Sequence, residues 1–359
     1  MNRRTLLSGL AAAALSGHAA LGQAAALPPG HPLDASWQAW KALCLAGDGR
    51  VVDGFQNGAS HSEGQGYGLV LAAIMDDRPA FEAMLDWTGR NLAIRDDALL
   101  AWRWQPDKAP HVQDRNNASD GDLFHAWALV IAGARQQRPE LVERAGPIVQ
   151  DLLRLCTTAH PAGDGGMLLL PGAAGFRSDG QVVINPSYYM PRAMRELADA
   201  TRQPLMRQLA DDGDRLIEGL AARGPVPDWI AFSADGQVQP PAGFSRNSGY
   251  EAIRVPLFAL WSGRGDAAVV RGFARAIAAA PPGGPYPVVF DTQTGAVLES
   301  SPHPGYGAVA GLSVCASQDG GRIGSTMRPF ANDQPYYPAT LHLMALVAQV
   351  SQFPQCVPL

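Results

Sequence analysis

Helical patterns recur along almost the whole chain, and they limit the possible folds more than any other feature. Apolar residues return at intervals of three and four, as Leu123, Trp127 and Val130 do. Such segments span residues 35–45, 63–74, 79–91, 120–135, 139–156, 187–200, 204–223, 250–261, 266–280 and 335–350, with a weaker one at 305–315. Strand patterns are limited to short stretches such as 180–184 and 288–290. The chain is therefore predicted to be an all-α protein with long loops and minor short strands.

The linkers between these segments are rich in glycine and proline, and two of them, 93–119 and 224–248, are long. Long loops on a helical scaffold are where binding and catalytic residues concentrate. No low-complexity linker and no internal repeat divides the chain. Residues 27–359 are therefore predicted to form a single domain.

Residues 1–26 have the features of an export signal. The pair Arg3 and Arg4 precedes an apolar stretch at 10–15 that is too short to span a bilayer, and small residues at 24–26 offer a cleavage site. Paired arginines before an apolar run resemble a twin-arginine signal. No other segment is long and apolar enough to cross a membrane. The mature protein is expected to be periplasmic or secreted.

Composition and spacing argue against several classes of partner and cofactor. The net charge is -5 and no basic patch stands out, so nucleic acid is not an expected partner. The four cysteines, Cys44, Cys156, Cys315 and Cys356, have no zinc-type spacing. No metalloprotease motif or phosphate-binding loop is present, and no metal or cofactor is expected. In an exported protein the cysteines form one disulfide or remain buried thiols, and the sequence leaves both open.

Three helical segments begin with an acidic residue in the predicted first turn: Glu63, Asp120 and Glu251. Ser60 stands three residues before Glu63, which is the spacing of a capping box, and capping alone is the alternative role for this acid. Consecutive antiparallel helices alternate in direction, and an odd number of helices separates these three. All three acids are therefore expected at one end of the domain.

Aromatic residues occur in loops predicted at the same end, among them Trp102, Tyr188 and Tyr337. Core packing is the alternative for each of them, but aromatic rings beside carboxylates suit a sugar chain. Two carboxylates across a glycosidic bond are the usual machinery for its hydrolysis. Arg254 follows Glu251 by three residues and could keep it ionised, as a base requires.

The same residues resemble the family-8 glycoside hydrolases, above all the endoglucanases that accompany bacterial cellulose synthesis. The motifs are Ser62-Glu63-Gly64-Gln65-Gly66-Tyr67-Gly68, Trp102-Arg103-Trp104, Ala118-Ser119-Asp120-Gly121-Asp122, Asn185-Pro186-Ser187-Tyr188 and Tyr250-Glu251-Ala252-Ile253-Arg254-Val255-Pro256. The resemblance extends from about Trp37 to about Val350. It implies an (α/α)6 barrel, a toroid of six helical hairpins, that hydrolyses β-1,4-linked glucan with inversion. It also implies the cellulose synthase complex as a partner.

The resemblance further implies a role for each candidate site residue. Glu63 matches the general acid, and Asp120 matches the acid that holds the distorted sugar at the cleavage site. The residues matching sugar-binding aromatics and the arginine beside the base are Trp102, Tyr188, Tyr337 and Arg254.

Glu251 departs from the family pattern, which has aspartate at this position. Three interpretations follow: Glu251 is the base, Asp120 or another acid takes over that role, or activity is low. Two further hypotheses remain beside an endo-β-1,4-glucanase. The same fold could act on another β-glycan such as xylan or chitosan, or the chain could be a non-catalytic glycan-binding assembly subunit.

Overall fold

The computed structural model describes residues 31–163, 165–178, 180–280, 285–317 and 329–356. Helices dominate these ranges, as predicted. They are α1 (Pro32–Cys44), α2 (Ser62–Ile74), α3 (Arg78–Asn91), α4 (Ser119–Arg135), α5 (Pro139–Leu155), α6 (Pro191–Thr201), α7 (Pro204–Ala221), α8 (Arg254–Trp261), α9 (Ala268–Ala278), α10 (Pro304–Ala316) and α11 (Tyr336–Gln352). The predicted export signal at 1–26 lies outside the described residues.

The composition of each helix decides where it lies. Helices α2, α4, α8, α10 and α11 have few charged residues, placed near their ends, and are buried along almost their whole length. A helix that is apolar on all sides belongs in the interior. Helices α5, α7 and α9 have one apolar face and one charged face, so they lie outside this inner group.

Successive helices pack as hairpins: α2 with α3, α4 with α5, α6 with α7, α8 with α9, and α10 with α11. Helix α1 packs against α11, where Trp40 Nε1 donates a hydrogen bond to Thr340 Oγ1 at 3.0 Å. The Trp40 ring also contacts α2, because a Cβ atom on Gly68 would lie 3.1 Å from it. Helix α1 therefore joins the last helix to the inner group and closes a ring.

Ten short strands lie in the connections between the described helices. They are β1 (Ser60–His61), β2 (Arg103–Trp104), β3 (Thr157–Ala159), β4 (Met167–Leu169), β5 (Arg177–Ser178), β6 (Gln181–Ile184), β7 (Ile230–Ser233), β8 (Val238–Gln239), β9 (Tyr286–Phe290) and β10 (Val297–Ser301). Strands β5 to β8 form one antiparallel sheet in chain order, with Val182 opposite Phe232, and the others pair as β1–β2, β3–β4 and β9–β10. The predicted strands at 180–184 and 288–290 are confirmed as β6 and β9.

The start of α2 differs from the predicted capping box. The helix begins at Ser62, and its N-cap residue is His61, which makes no side-chain capping bond. Ser60 Oγ instead donates to the carbonyl of Val51 at 2.5 Å and accepts from Arg50 Nη1 at 3.2 Å, and no side-chain capping bond forms at the start of α2. The capping-box prediction is therefore wrong, while the placement of Glu63 in the first turn is confirmed.

Two other predicted helix starts are displaced towards the C-terminus. Helix α8 begins at Arg254, so Glu251 lies in the turn before the helix and not in its first turn. In the segment predicted as helix 187–200, a 3₁₀ turn at Pro186–Tyr188 comes first and α6 begins at Pro191. Proline lacks the N–H group that a helix interior needs, and it is favoured in the first helical turn.

The cysteines combine both states that the sequence left open. Cys315 in α10 forms a disulfide with Cys356, which follows α11. Cys44 and Cys156 are buried free thiols, and burial raises the pKa of each to about 12. Neither thiol is therefore a reactive nucleophile near neutral pH.

None of the helices within the described ranges combines the length and the apolar character that a membrane crossing requires.

Candidate active site

The N-terminal ends of α2 and α4 lie in close contact because glycine occupies the contact points. A Cβ atom on Gly121 would lie 2.2 Å from Ser62 Oγ, and one on Gly66 would lie 2.9 Å from Phe124 Cβ. A larger residue at either position would force the helices apart. This packing brings the first turns that carry Glu63 and Asp120 together.

One buried guanidinium joins Glu63 at the start of α2 to Glu251 in the turn before α8. Arg254 is only 2% exposed, and its Nη1 donates to Glu63 Oε2 at 2.6 Å while its Nη2 donates to Glu251 Oε2. Burial acts to lower the pKa of Arg254, but the neighbouring carboxylates, Glu251 foremost, raise it well above its ordinary value. The predicted pairing of Arg254 with Glu251 is confirmed, and the same arginine also holds Glu63.

A serine and an asparagine from the loop before α6 complete this network. Ser187 Oγ accepts hydrogen bonds from Arg254 Nε at 3.2 Å and Nη2 at 2.6 Å. Asn185 Nδ2 donates to Glu251 Oε2 at 3.1 Å, and Asn185 Oδ1 accepts from Ser187. Ser187 thus holds Arg254 and Asn185 holds Glu251. These bonds reduce the conformational freedom of the site.

The turn that carries Glu251 is held by Asp228. The Oδ1 atom of this buried carboxylate accepts from the backbone N–H groups of Gly249 and Ala252, each at 2.8 Å, and its Oδ2 atom accepts from Ser245 Oγ at 2.9 Å. Burial raises the pKa of Asp228, and these three hydrogen bonds oppose that rise. Because the two N–H groups flank residue 251 in sequence, Asp228 fixes the backbone from which Glu251 projects.

Asp120 lies below the surface of the site. It is 1% exposed, its Oδ1 atom accepts from the backbone N–H of Gly121 at 2.8 Å, and its Oδ2 atom has no hydrogen-bond partner among the described residues. Burial, followed by the negative charge of Glu63, raises the pKa of Asp120 well above its ordinary range. Burial thus favours the neutral form of this carboxyl group more than in an exposed aspartate, and the neutral form can donate a hydrogen bond to a hydroxyl group.

Two adjacent tyrosines at the start of α11 form another wall of the site. The Tyr336 hydroxyl donates to Glu63 Oε1 at 3.5 Å, and its ring packs edge-on against His61. The Tyr337 hydroxyl donates to the carbonyl of Tyr250. The tyrosines thus connect α11 to both segments that carry the glutamates.

An open cleft of about 440 Å³ lies beside Glu63, Glu251 and Arg254. The lining residues are Asp53, Phe55, Gln56, His61, Glu63, Tyr250, Glu251, Arg254, Ser301, His303, Tyr306, Tyr336 and Tyr337. Four of the residues proposed from the sequence, Glu63, Glu251, Arg254 and Tyr337, are therefore brought together in one cleft.

The two other predicted aromatics take different positions. The Tyr188 ring lies 5.8 Å from the Arg254 guanidinium, so it borders the carboxylate network directly. Trp102 is not part of the cleft lining, and its Nε1 donates to Asp114 Oδ2 at 2.9 Å. Its carbonyl oxygen accepts from the N–H of Ser62 at 3.0 Å, which ties its loop to the start of α2.

Several residues of the site were not identified from the sequence. Asp228, Asn185 and Tyr336 act through contacts between segments far apart in the chain, and no local pattern marks Asp228. Asn185 begins a quoted motif and Tyr336 directly precedes Tyr337, and these positions are the signal that could have found them. Within the described part of the chain, no group of three or more histidine, cysteine or acidic residues is placed to hold a metal ion.

Comparison with known proteins shows the family of the chain. The model of the glycosyl hydrolases family 8 matches residues 3–351. A relative described as "Probable endoglucanase" from Novacetimonas hansenii is 37% identical over 88% of this chain and 90% of its own.

Solved structures are similar over nearly the same extent. The endo-beta-1,4-glucanase CMCax from Acetobacter xylinum has a TM-score of 0.80 and 35% identity, covering 89% of this chain and 98% of its own. The family-8 endoglucanase Cel10 from Klebsiella pneumoniae has a TM-score of 0.79 and 30% identity, covering 89% and 100%. The predicted (α/α)6 barrel is thereby confirmed, and this chain belongs to family 8 of the glycoside hydrolases.

Proposed function

We propose that this protein is an endo-β-1,4-glucanase that hydrolyses internal β-1,4-glucosidic bonds of cellulose or of its soluble derivatives. One observation carries the proposal: Glu63 and Glu251, from segments far apart in the chain, meet at a single buried guanidinium in an aromatic-lined cleft. Two carboxyl groups with different charge states are what hydrolysis of a glycosidic bond requires. The names of the relatives and of the solved structures point to the same reaction.

In the proposed mechanism Glu63 protonates the leaving oxygen and Glu251 activates a water molecule. Because one guanidinium serves both carboxylates, a proton on Glu63 leaves Arg254 paired with Glu251. That distribution gives one neutral acid and one ionised base, as the reaction needs. Glu251 replaces the aspartate of the family pattern, and its bonds from Arg254 and Asn185 support the base role.

Asp120 and Tyr188 are proposed to bind the sugar at the cleavage site. The free Oδ2 atom of Asp120 and its raised pKa suit a hydrogen bond to a sugar hydroxyl. Tyr188 presents a ring beside Arg254. Tyr337 lines the cleft near Glu251, whereas Trp102 is proposed to contribute through the position of its loop.

The test is release of reducing ends from carboxymethyl cellulose, xylan and chitosan by the purified enzyme. We expect turnover on the cellulose derivative, with a rapid fall in its viscosity because internal bonds are cut. Glu63→Gln should keep the fold and lose at least about a thousandfold in rate, since the proton donor is lost. Preference for xylan or chitosan would mean that the substrate is that glycan and not β-1,4-glucan. Inactivity on all three would favour a glycan-binding assembly role.

We further propose that the protein is exported and acts beside a cellulose synthase complex in the periplasm or outside the cell. The support is the paired Arg3 and Arg4 before a short apolar run, together with the family resemblance. Replacing both arginines by lysine should leave the precursor in the cytoplasm in a cell-fractionation experiment. Normal export of that double variant would point to the general secretory route.

A further inference from the structure

A short loop before α2 presents a phenylalanine to solvent in a fixed conformation. Asp53 Oδ1 accepts from the backbone N–H of Phe55 at 2.9 Å, and Asp53 Oδ2 accepts from Gln56 Nε2 at 3.0 Å. The backbone N–H of Asp53 donates to the carbonyl of Ala59 at 2.9 Å, which closes the loop. Asn57 takes a left-handed conformation with φ of 55°, as the tight turn requires. The loop is therefore held in place by its own hydrogen bonds.

Phe55 is the most exposed large apolar residue among those described, with 67% of its surface accessible. Its ring borders the same cleft as Glu63 and Glu251. The His303 ring, which directly precedes α10, lies 6.3 Å from it at an angle of 57°. Two aromatic rings from distant segments thus meet at one part of the cleft wall.

Scattered exposed apolar residues are normal on protein surfaces and need no function. The position of Phe55 differs from that general case in two respects. It lies on the wall of a polar cleft, and its backbone N–H is fixed by the hydrogen bond that it donates to Asp53. A held aromatic ring beside polar groups is suited to a ligand that has both an apolar face and hydroxyl groups.

We propose that Phe55 and His303 form a binding position for a glucosyl unit of the substrate chain beyond the two units that flank the cleaved bond. The inference rests on the proposed glucanase function. The C–H face of the sugar stacks on the Phe55 ring. Gln56 and His61 line the same cleft, with side-chain nitrogens 3.1 Å apart, and meet its hydroxyl edge. This position makes the enzyme prefer longer chains.

The first experiment compares hydrolysis of cello-oligosaccharides of increasing length by the wild type and by Phe55→Ala. For the longest oligosaccharide we expect KM to rise roughly tenfold and kcat to stay within about twofold, because ground-state stacking is lost while the reacting groups are untouched. For the shortest oligosaccharide that is cleaved, KM should not change. The matched control is Leu43→Ala, which truncates an exposed apolar residue on α1 outside the cleft lining and should leave both constants unchanged.

A second measurement detects binding directly and does not depend on turnover. In the Glu63→Gln background, Phe55→Trp places an indole at the proposed contact, and its fluorescence should change on addition of long but not short cello-oligosaccharides. His303→Ala should weaken that response. A KM effect of Phe55→Ala that is equal for all lengths, or no fluorescence change, would overturn the inference.

The two proposals fail in distinguishable ways. If the wild type releases no reducing ends from any β-1,4-glucan, the proposed function fails. If the wild type cleaves glucan and Phe55→Ala matches it at every chain length, only the Phe55 position fails.

Discussion

Arg254 and Asp228 control the candidate site although neither is one of the two carboxylates proposed to do the chemistry. Arg254 sets the distance between Glu63 and Glu251 because it binds both. Asp228 acts one step further away, through the backbone amides on either side of Glu251. A carboxylate that is held through both its side chain and its backbone keeps its orientation. This orientation is important because small displacements of reacting groups lower the reaction rate strongly.

Asp228 is expected to be a positioning residue whose shape is needed more than its charge. Asp228→Ala should lower kcat by about tenfold or more and destabilise the fold by about 1–3 kcal/mol, because two buried N–H groups lose their acceptor. Asp228→Asn keeps an oxygen that can accept both bonds and should restore most of the activity. Rate and thermal-unfolding measurements on the two variants check this, and equal losses in both would argue for a role of the charge.

Glu251 is expected to be the base of an inverting reaction. An inverting enzyme needs room for a water molecule between its acid and its base, and Glu63 and Glu251 come from different segments and bind different terminal nitrogens of Arg254. Glu251→Gln should therefore abolish most activity, and proton NMR of early products should show the α-anomer first. Early β-anomer would mean retention. An active Glu251→Gln beside an inactive Asp120→Asn would transfer the base role to Asp120.

At the scale of elements, the site depends on how closely α2 and α4 approach each other. Gly66 and Gly121 allow the contact, and side-chain and backbone atoms of Ser62 lie where a side chain at 121 would have to go. The first turns of the two helices therefore pack directly against each other. The same glycines that weaken helix propensity are what bring Glu63 and Asp120 together.

Gly121→Ala tests this packing. The new methyl group would overlap Ser62, so we expect a loss of about 1–3 kcal/mol of stability and a fall in activity as Glu63 is displaced. Gly219→Ala in α7 is the matched control, since a Cβ atom there meets nothing within 4 Å and no proline follows, and it should stabilise the protein by about 0.5–1 kcal/mol. Chemical denaturation of both variants gives the comparison. A stabilised Gly121→Ala would show that the helices can move apart freely.

The long inner helices were predictable from the sequence because burial on all sides makes them apolar throughout, as in α4 and α11. The longer strands β6 and β9 were also predicted, but the two-residue strands were not, since a strand such as β1 has no alternation to detect. For the candidate site, the motifs named Glu63, Glu251 and Arg254, which the fold brings into one cleft. Asp228 was missed because the backbone groups that it holds beside Glu251 are more than twenty residues away, which no side-chain pattern reports.

At the scale of the whole molecule, burial of ionisable groups couples folding to pH. His125 in α4 is buried, its Nδ1 atom has no hydrogen-bond partner among the described residues, and burial lowers its pKa from 6.5 to about 4. Below pH 6.5 the unfolded chain takes up a proton at this residue that the folded protein does not accept until about pH 4. The unfolding free energy is therefore unaffected by His125 above pH 6.5, and it decreases as the pH falls from 6.5 towards 4.

His125→Gln should remove this pH dependence. Between pH 7.5 and 4.5 the wild type is expected to lose about 3 kcal/mol more of its unfolding free energy than the variant, from a pKa difference of about two units or slightly more. Urea unfolding of both proteins at the two pH values measures it. Because all other titrating groups are shared, parallel losses in the two proteins would contradict the assignment.

The single guanidinium shared by Glu63 and Glu251, with Asp120 buried beside them, also has a consequence for the protons of the site. Burial and then the negative charge of Glu63 raise the pKa of Asp120, Arg254 lowers it, and Glu251 raises it further. The protonation of Asp120 therefore depends on all three neighbours and not on this residue alone. Removing one member of the group changes the surroundings of the others, so the effects of paired substitutions will not add.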